Sequence, residues 1–544
     1  MIRIKSKTET GVLDMSFIKP LKPYIYAYIS GFVLLMAAVL IHFKDVSAAV
    51  NATEDNFLIN RYLFIVIVLL LIIGAFLYIY KKMQIHKSFF MIVLALGMVY
   101  MQVFIGLSAP DEPSHYISAY KLSSQMLGIK AVDDRGYVLL YDDAAYLEDA
   151  YDDPMNESVL GSTLTEESLK LDHDWNENIK EYDLDKENTL YTSRHIPVNT
   201  SPLIYVPQAV GMSIARILKL SAVNMIAFAK FFNLLLFALI TAYSIKILPF
   251  GKYIVYAISL LPMTMHLAAS MSYDALIIAL YTLFVAKILA LSRSSARVGI
   301  KDLGFLCLII AVCGPCKIVY SLTVLLYFLI PRSRFKNTTH YLLGFAAVFL
   351  SMFVAMYLVN AATIVSYTSI ESGQEFGNVK QSYGLIEVLT WPSLLIRMLY
   401  NTFLYEFDNY HMGFIGEKLG NLDEILSIPY AIVCCYSLGL TALALKDKNS
   451  LKPLERLWIV TVFLGVVFGL ELSMLVAWTD RNSKIIEGVQ GRYFIPIAAP
   501  LLMTLNTKYI DIKFDINTVV IQSFVFMQAY GLIRLFATVC LRIG

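Results

Sequence analysis

Two carboxylates and an imidazole lie close together in the string Ala109-Pro110-Asp111-Glu112-Pro113-Ser114-His115, where an apolar run ends and a polar segment begins. Prolines flank the acid pair, so a regular helix cannot continue through it. A carboxylate at the mouth of a low-dielectric cavity can accept a proton from an attacking hydroxyl or hold a divalent cation. We therefore predict a catalytic role for Asp111 or Glu112 and a substrate-binding role for His115. The structural alternatives are a helix cap or a solvated loop acid for the pair, and a brace of the turn for His115.

Ionisable residues also stand at the ends of later apolar runs. Asp274 opens one such run, Lys317 follows a Gly-Pro apex between two short runs, and Arg492 precedes another run. Ionisable groups at membrane depth are functional candidates, and Lys and Arg suit a phosphate, which the Arg fork holds bidentately. We predict that these three residues bind substrate, with Arg194 and His195 as further candidates of the same kind. The alternatives are a helix cap for Asp274 and contact with lipid headgroups for Arg492.

The elements that must position these residues are membrane helices. The chain of 544 residues is 58% hydrophobic and only 16% charged, which is too apolar for a soluble protein of several domains. Apolar runs long enough for a hydrocarbon core of about 30 Å recur along the chain, as at 64–80 and 90–107. Each run must be helical because lipid offers no partners to open backbone groups. The sequence therefore predicts an all-α polytopic membrane protein.

The charge is unevenly distributed along the chain. Residues 108–200 contain 20 Asp and Glu against 7 Lys and Arg, so this segment carries −13 and the rest carries +15, for a total of +2. The acidic block predicts an extramembrane insert. No basic face is left over once the membrane loops take their lysines, so a nucleic-acid partner is not expected. No Walker, Rossmann, His-Glu-x-x-His or Gly-x-Ser-x-Gly motif occurs, which disfavours an ATP-driven pump and a hydrolase of the soluble type.

Lys and Arg gather in short loops between the apolar runs, and cytoplasmic loops carry such an excess. All of these clusters and the N-terminus are cytoplasmic at once if about thirteen helices cross the membrane. In this scheme the run 202–220 lies on or dips into the membrane on the extracytoplasmic side, and a fourteen-span arrangement is the alternative. The pair 302–316 and 317–331 is short for a full crossing and stops beneath an aqueous cavity. The predicted spans are 24–42, 61–80, 88–107, 223–246, 252–270, 272–292, 302–316, 317–331, 340–360, 424–445, 456–478, 493–508 and 516–538.

This topology divides the chain into four parts. They are an N-terminal two-span extension (1–87), a membrane module that includes the acidic insert 108–200 (88–360), an extracytoplasmic loop (361–423) and C-terminal membrane helices (424–544). The first apolar run is too long for the core of a cleavable signal peptide, so we expect it to be retained as a span. The cysteine positions indicate no disulfide framework.

Several short motifs occur in a fixed order along the chain. They are the acidic pair after an early span, the large outside loop, Tyr205-Val206-Pro207, an Asp that opens a later span (Asp274), the Gly-Pro apex with Lys317, and Gln490-Gly491-Arg492-Tyr493 followed by Pro496. In their order and sidedness they resemble a bacterial family of predicted membrane proteins of unknown function, which is related to the GT-C superfamily of polyprenyl-phosphate-sugar glycosyltransferases. The resemblance covers roughly residues 85–540.

The resemblance implies a GT-C-like bundle of about thirteen transmembrane helices with a large extracytoplasmic loop after the third span. It also implies that Asp111 or Glu112 is the catalytic base, that Lys317 and Arg492 neutralise a departing lipid phosphate, and that Asp274 lines the sugar site. We expect direct displacement with inversion and no obligatory cofactor or metal. A divalent cation that bridges the acid pair and the phosphate is the alternative.

The sequence thus predicts a glycosyltransferase in a bacterial plasma membrane. It would move a sugar from a polyprenyl-phosphate donor to a cell-envelope glycan acceptor on the extracytoplasmic side, in cell-envelope polysaccharide biosynthesis. The alternatives are a transporter or flippase for lipid-linked glycans and a non-catalytic assembly factor. A transporter would carry buried charges through the full depth of the bilayer, whereas the ionisable groups of this sequence gather at one face.

Overall fold

The computed structural model describes residues 25–141, 144–145, 164–177, 190–368, 375–376, 380–381, 383–447, 450–507 and 514–543. In these residues the chain is mainly helical, and the strands form three two-stranded antiparallel pairs, β1–β2, β3–β4 and β5–β6. The helices are α1 (Ile25–Thr53), α2 (Phe57–Ile79), α3 (Ile85–Val103), α4 (Glu112–Met126), α5 (Glu166–Glu177), α6 (Val206–Ile217), α7 (Ala222–Ile247), α8 (Lys252–Ser259), α9 (Pro262–Ala268), α10 (Asp274–Arg293), α11 (Ile300–Cys313), α12 (Thr338–Thr368), α13 (Leu385–Thr390), α14 (Pro392–Ile415), α15 (Tyr430–Lys446), α16 (Pro453–Ala477), α17 (Ile495–Met503) and α18 (Ile516–Leu541). The strands are β1 (Leu139–Tyr141), β2 (Leu190–Thr192), β3 (Glu375–Phe376), β4 (Lys380–Gln381), β5 (Lys418–Leu419) and β6 (Asp423–Ser427). Segments of 3₁₀ helix cover Pro202–Tyr205, Gly314–Cys316, Ile318–Leu329, Arg332–Arg334 and Gly491–Phe494.

Eight helices of the described chain are long and apolar enough to cross a membrane. Each satisfies its backbone polar groups internally, as a lipid environment demands. The prediction of a helical, multi-pass membrane protein is therefore confirmed. The eight stretches are Tyr28–Thr53, Phe57–Ile79, Ile85–Val103, Ala222–Ile247, Asp274–Arg293, Thr338–Ala361, Pro453–Val476 and Ile516–Leu541.

The other five predicted spans form shorter or broken helices. Run 252–270 splits into α8 and α9 because Leu261, which precedes Pro262, is extended (ψ 142°). Helix α11 has 14 residues, which cover only about 21 Å. The runs 317–331, 424–445 and 493–508 form the 3₁₀ segment Ile318–Leu329, the 17-residue α15 and the 9-residue α17. The count of about thirteen crossings stays a prediction.

The run 202–220 forms a short helix rather than a candidate span. Its α-helical part, α6, has 12 residues, which cover about 18 Å of a core of about 30 Å. Gly211 lets α6 approach α7 closely, since a Cβ at this position would lie 2.6 Å from the carbonyl oxygen of Phe228. The helix therefore packs along the first half of α7, and the prediction that this run does not cross the membrane stays a prediction.

Helix α10, which begins with Asp274, is the most enclosed of the eight long helices. In its most apolar stretch 78% of the residues are buried, against 17% in α12. Polar side chains also join helices across the bundle, as where Tyr100 of α3 donates to Gln528 of α18, which in turn donates to the carbonyl of Leu260. Helix α10 thus lies at the centre of the bundle, with α12 at its edge.

The described part of the acidic insert docks on the end of the bundle where α2 begins and α18 ends. Arg61 near the start of α2 donates to Asp172 of α5 at 2.9 Å. The amide of Glu166 donates to the carbonyl of Arg542, just beyond α18, at 3.0 Å. Several stretches of the predicted parts lie outside the described residues, namely 1–24 of the extension, 142–143, 146–163 and 178–189 of the insert, and 369–374, 377–379 and 382 of the loop.

Candidate active site

The turn between α3 and α4 gives its two neighbouring carboxylates opposite surroundings. Asp111 has a left-handed backbone conformation (φ 58°, ψ 14°), which Asp tolerates better than most residues. Its side chain is 68% exposed. Glu112, the first residue of α4, is fully buried, and Pro113 follows in the first turn, where its missing N–H is not needed. Of the acid pair, only Asp111 is open to a substrate.

The carboxylate of Glu112 contacts three segments of the chain. Its Oε2 accepts a hydrogen bond from the amide of Ala109 at 2.6 Å, and its Oε1 accepts one from the amide of Met271 at 2.8 Å. The buried Nζ of Lys230 lies 3.3 Å from the same Oε1 and donates to the carbonyl of Phe104 at 3.2 Å. A buried charge is tolerated when it is paired and hydrogen-bonded in this way. Glu112 therefore fixes the turn before α10 against the start of α4.

A second buried network holds the turn that leads to Asp274. Asn233 of α7 donates to the carbonyls of Ser270 and Ser272, at 2.8 and 3.1 Å. Gln208 of α6 orients this amide by donating to its Oδ1 at 3.1 Å. The hydroxyl of Ser272 accepts from the amide of Asp274 at 3.2 Å. These bonds leave the carboxylate of Asp274 free for other partners at the start of α10.

Asp274 pairs with two cations from distant parts of the chain. Its Oδ1 accepts from Nζ of Lys317 at 2.8 Å, and its Oδ2 lies 3.6 Å from Nε of Arg492. Arg492 also donates from Nη2 to Oδ2 of Asp111 at 3.0 Å. We call these four residues, Asp111, Asp274, Lys317 and Arg492, the charged cluster. The Arg492 side chain is 3% exposed, so the cluster runs from a buried cation to the open carboxylate of Asp111.

An aromatic ring lies against both cations of the cluster. Nζ of Lys317 is 4.0 Å from the ring centre of Tyr493, and the guanidinium carbon of Arg492 is 5.4 Å from it. Cations over aromatic faces are stabilised without being neutralised. Lys317 adopts an extended conformation (φ −144°, ψ 100°) between the two 3₁₀ segments of the apex, which brings it to the start of α10.

His115 lies on α4 beside the cluster and is neutral at neutral pH. Burial lowers its pKa to about 4, although the two carboxylates of the cluster act in the opposite direction. Its Nδ1 shares a hydrogen bond of 2.6 Å with the hydroxyl of Tyr205, and its ring meets Tyr273 edge-on at 4.8 Å. The imidazole is therefore a neutral, oriented hydrogen-bonding group.

Two glycines bring Arg492 to its position. A Cβ on Gly491 would lie 2.2 Å from the carbonyl oxygen of Tyr410 and 2.4 Å from the amide nitrogen of Phe414. A Cβ on Gly413 would lie 3.2 Å from the amide nitrogen of Gly491. Backbone therefore packs on backbone where α14 meets the 3₁₀ turn that carries the arginine. A larger residue at 491 would push the two segments apart.

The structure brings together five of the predicted site residues, namely the four of the charged cluster and His115. Glu112 contacts the same turn from inside the fold. Arg194 is exposed, and the backbone of His195 is hydrogen-bonded to the hydroxyl of Ser193. Their substrate-binding role stays a prediction.

Three residues around the site were not predicted as functional. Tyr205 was visible as part of the Tyr-Val-Pro motif, but its contact with His115 was not. Lys230 is a lone lysine within an apolar run, which is a signal for a buried partner in a membrane helix. Tyr273 gave no signal, because an aromatic residue before an apolar run is common at membrane interfaces.

The arrangement suits proton transfer and anion binding. Asp111 can accept a proton from a hydroxyl that approaches from solvent. Lys317 and Arg492 can hold a phosphate, since both present donors next to a carboxylate that fixes them. Within the described residues, no group of three or more His, Cys, Asp or Glu side chains is placed to hold a metal ion.

A family of known sequences matches most of the chain. The family is described as "Predicted membrane protein (DUF2142)", and it matches residues 103–501. No curated protein and no solved structure matches the chain. The matched range contains the whole charged cluster and His115, whereas α1 and α2 precede it.

Proposed function

Because the chain belongs to this family of predicted membrane proteins of unknown function, we propose its activity from the geometry of the charged cluster. The protein is a membrane glycosyltransferase that moves a sugar from a polyprenyl-phosphate donor to a cell-envelope glycan acceptor. The observation that carries the proposal is the 3.0 Å contact between the exposed Asp111 and the buried Arg492. A base beside a cation that suits phosphate is what such a transfer needs.

In the proposed reaction Asp111 removes the proton of an acceptor hydroxyl, and the oxygen attacks the anomeric carbon of the donor sugar. The bond from that carbon to the phosphate oxygen breaks, and the electron pair leaves with the polyprenyl phosphate. Lys317 and Arg492 stabilise the charge that develops on the phosphate. Because attack and departure occur on opposite faces of the carbon, the configuration inverts. No nucleotide takes part.

Asp111 rather than Glu112 is the base in this proposal. Both oxygens of Glu112 already accept backbone hydrogen bonds inside the fold, and its charge is balanced by Lys230. Asp111 is held through one oxygen by Arg492 and is otherwise open. Asp274 positions the two cations and lines the sugar site, and the neutral His115 is a hydrogen-bonding wall of that site.

The charged cluster lies on the extracytoplasmic face in the proposed topology of about thirteen crossings, with a cytoplasmic N-terminus and a bacterial plasma membrane. Support comes from the basic residues of the opposite end, which gather there as the positive-inside rule demands. Arg293 pairs with Glu455 at 2.7 Å, and Arg456 donates to the carbonyl of Asn506 at 2.6 Å. These contacts join loops at the end of the bundle away from the cluster.

The resemblance of the sequence motifs to the GT-C superfamily supports the same proposal. The motifs that carry this resemblance include both acids and both cations of the charged cluster, and the fold brings these four side chains together from four separate segments. If the motifs matched the family only by chance, there would be no reason for their side chains to meet in the folded protein. In this proposal the polar segment after α3 is the extracytoplasmic loop that the resemblance implies.

The proposal is tested by transfer from purified polyprenyl-phosphate sugars in proteoliposomes. We expect Asp111→Asn to lower the rate about a hundredfold or more, which is the usual contribution of a general base. Asp134→Asn is the matched control, because the Asp134 side chain is fully exposed in a neighbouring loop. Wild-type activity in D111N would remove the assignment of the base. Movement of the lipid-linked sugar across the bilayer without transfer would instead favour the transporter.

A further inference from the structure

A cleft with a volume of about 260 Å³ is lined in part by Arg492. It lies between α14 and the turn that carries this arginine, and its far wall is the segment just after α14. Its polar lining residues include Glu406, Asn409, Glu417 and Gln490 in addition to Arg492. Pockets for drug-sized ligands have volumes of roughly 300–1,000 Å³. This slightly smaller cleft therefore has the size for a ligand of one ring.

Five buried polar atoms on the lining residues have no hydrogen bond among the residues that the structure describes. Two of them face a carboxylate, since the hydroxyl of Tyr410 interacts with Glu471 and Nε of Arg492 lies 3.6 Å from Oδ2 of Asp274. The other three are Oε2 of Glu417, Oε1 of Gln490 and Nη1 of Arg492. Each is shielded from solvent, and a buried polar atom without a hydrogen bond costs about 1–3 kcal/mol. In native proteins most buried polar atoms are hydrogen-bonded to protein or to an ordered polar molecule, so several such atoms around one cleft point to a polar occupant.

The backbone on either side of Glu417 is fixed. Its amide donates to the carbonyl of Met412 at 2.9 Å, and its carbonyl accepts from the amide of Ile428 at 2.7 Å. The preceding Gly416 has a positive φ of 101°, and a Cβ there would lie 2.3 Å from the amide nitrogen of Met263. The side chain of Glu417 is therefore held at the cleft by the fold, while the terminal torsion of a Glu can still turn toward a ligand.

The unpaired atoms have a definite chemical character. Glu417 and Gln490 offer oxygens that accept hydrogen bonds, whereas Arg492 offers a donor. Burial raises the pKa of Glu417, as expected of a carboxyl group that has few compensating partners.

The charge of Glu424 on the same hairpin raises the pKa of Glu417 further, after the effect of burial, whereas Lys418 lowers it. A donor from a ligand would offset this cost of keeping the carboxylate charged. Two acceptors and one donor around a ring-sized cleft match a molecule with many hydroxyl groups, because each hydroxyl both donates and accepts.

We infer that this cleft binds a sugar ring, with hydroxyl groups donating to Glu417 and Gln490 and accepting from Arg492. The inference rests on the proposed function only for the source of the ring, which is either the donor sugar or the terminal sugar of the acceptor. Arg492 then has two roles, because it contacts Asp111 of the charged cluster and also lines the cleft. Glu417 and Gln490 are binding residues that take no part in proton transfer.

The test is direct binding of free sugars to the purified full-length protein in detergent, measured by ligand-observed NMR with glucose, galactose and N-acetylglucosamine. We expect at least one of them to bind, and Glu417→Gln and Gln490→Ala each to weaken that binding about tenfold or more. Glu167→Gln is the matched control, since the Glu167 side chain is exposed on α5 and does not line the cleft. Because Oε2 of Glu417 bonds to no described residue, E417Q should unfold at the wild-type temperature.

The outcomes separate the cleft from the proposed reaction. Binding that depends on Glu417, without transfer from any lipid-linked sugar, would support the cleft and contradict the glycosyltransferase. If E417Q catalyses transfer with an unchanged KM for donor and acceptor, the inference that the cleft binds a sugar is wrong, and the glycosyltransferase proposal is unaffected. Where both hold, a raised KM for the donor assigns the ring to the donor, and a raised KM for the acceptor assigns it to the acceptor. Failure of all three sugars to bind the wild-type protein would also contradict the inference that the cleft binds a sugar.

Discussion

Replacement of Glu112 by Gln should destabilise the fold, although the neighbouring Asp111→Asn should not. In the wild-type protein the buried Glu112 accepts two backbone hydrogen bonds and faces Lys230 at 3.3 Å. The Gln side chain keeps one acceptor oxygen, so one of the two amides loses its partner. The charge of Lys230, which is 3% exposed, then has no carboxylate beside it.

The size of the effect follows from burial. Removal of one partner of a buried ion pair costs about 3–5 kcal/mol, because the other charge is left uncompensated. A typical protein has a total stability of about 5–15 kcal/mol, so this is a large share. The Asp111 side chain is 68% exposed, and a pair that reaches solvent contributes about 0–1 kcal/mol. Two adjacent acids should therefore differ by about 3 kcal/mol in their effect on folding.

Thermal unfolding in detergent can be followed with a thiol-specific dye, because Cys313 and Cys540 are buried in the fold. We expect E112Q to unfold well below the wild-type temperature and D111N to unfold close to it. The double variant E112Q/K230M removes both charges, so it should recover part of the loss. Unfolding of E112Q at the wild-type temperature, or a double variant no more stable than E112Q, would refute the reasoning.

Three further predictions concern the rest of the site. Arg492→Lys keeps the charge but loses the fork, so kcat/KM for the lipid-linked donor should fall about tenfold or more, and an unchanged value would contradict phosphate binding. Gly491→Ala places a Cβ 2.2 Å from a backbone oxygen and should abolish transfer, whereas Gly74→Ala, with nothing within 4 Å, should not. His115 has a pKa of about 4 in the fold against its ordinary 6.5, so the unfolded chain binds the extra proton between these values. Its contribution to stability is full above pH 6.5 and is lost as the pH falls toward 4, by at most about 3 kcal/mol. Unfolding of His115→Gln should show a weaker pH dependence over this range, and an unchanged dependence would exclude His115 as its source.

The charged residues of the site could be predicted from the sequence because they stand out in apolar surroundings. An ionisable residue at the end of a membrane run has a high free-energy cost unless it is paired. Asp274, Lys317 and Arg492 could therefore each be identified as a functional candidate. Their pairing could not be predicted, since Asp111 and Arg492 are 381 positions apart. The choice between Asp111 and Glu112 depended on one left-handed residue, which the sequence pattern does not reveal.

The helical membrane fold was predictable because long apolar runs in lipid must be helical. The irregular elements were not predictable. Hydropathy identifies an apolar run but does not distinguish an α-helix from the 3₁₀ segment Ile318–Leu329. The break between α8 and α9 had a visible cause in Pro262, because the residue before a proline avoids the helical conformation. The docking of α5 on α2 depends on pairs such as Arg61 with Asp172, which are 111 positions apart.

Arg492 links the two halves of the proposed reaction. Before a donor binds, its Nη2 holds Oδ2 of Asp111, one of the two oxygens that can accept the proton of the acceptor. A phosphate that enters beside Lys317 offers oxygens to the same guanidinium and so competes with Asp111 for it. Once the arginine turns to the phosphate, the carboxylate is released toward solvent, where an acceptor hydroxyl can reach it. In the proposed reaction, activation of the acceptor thus depends on the arrival of the donor phosphate at Arg492.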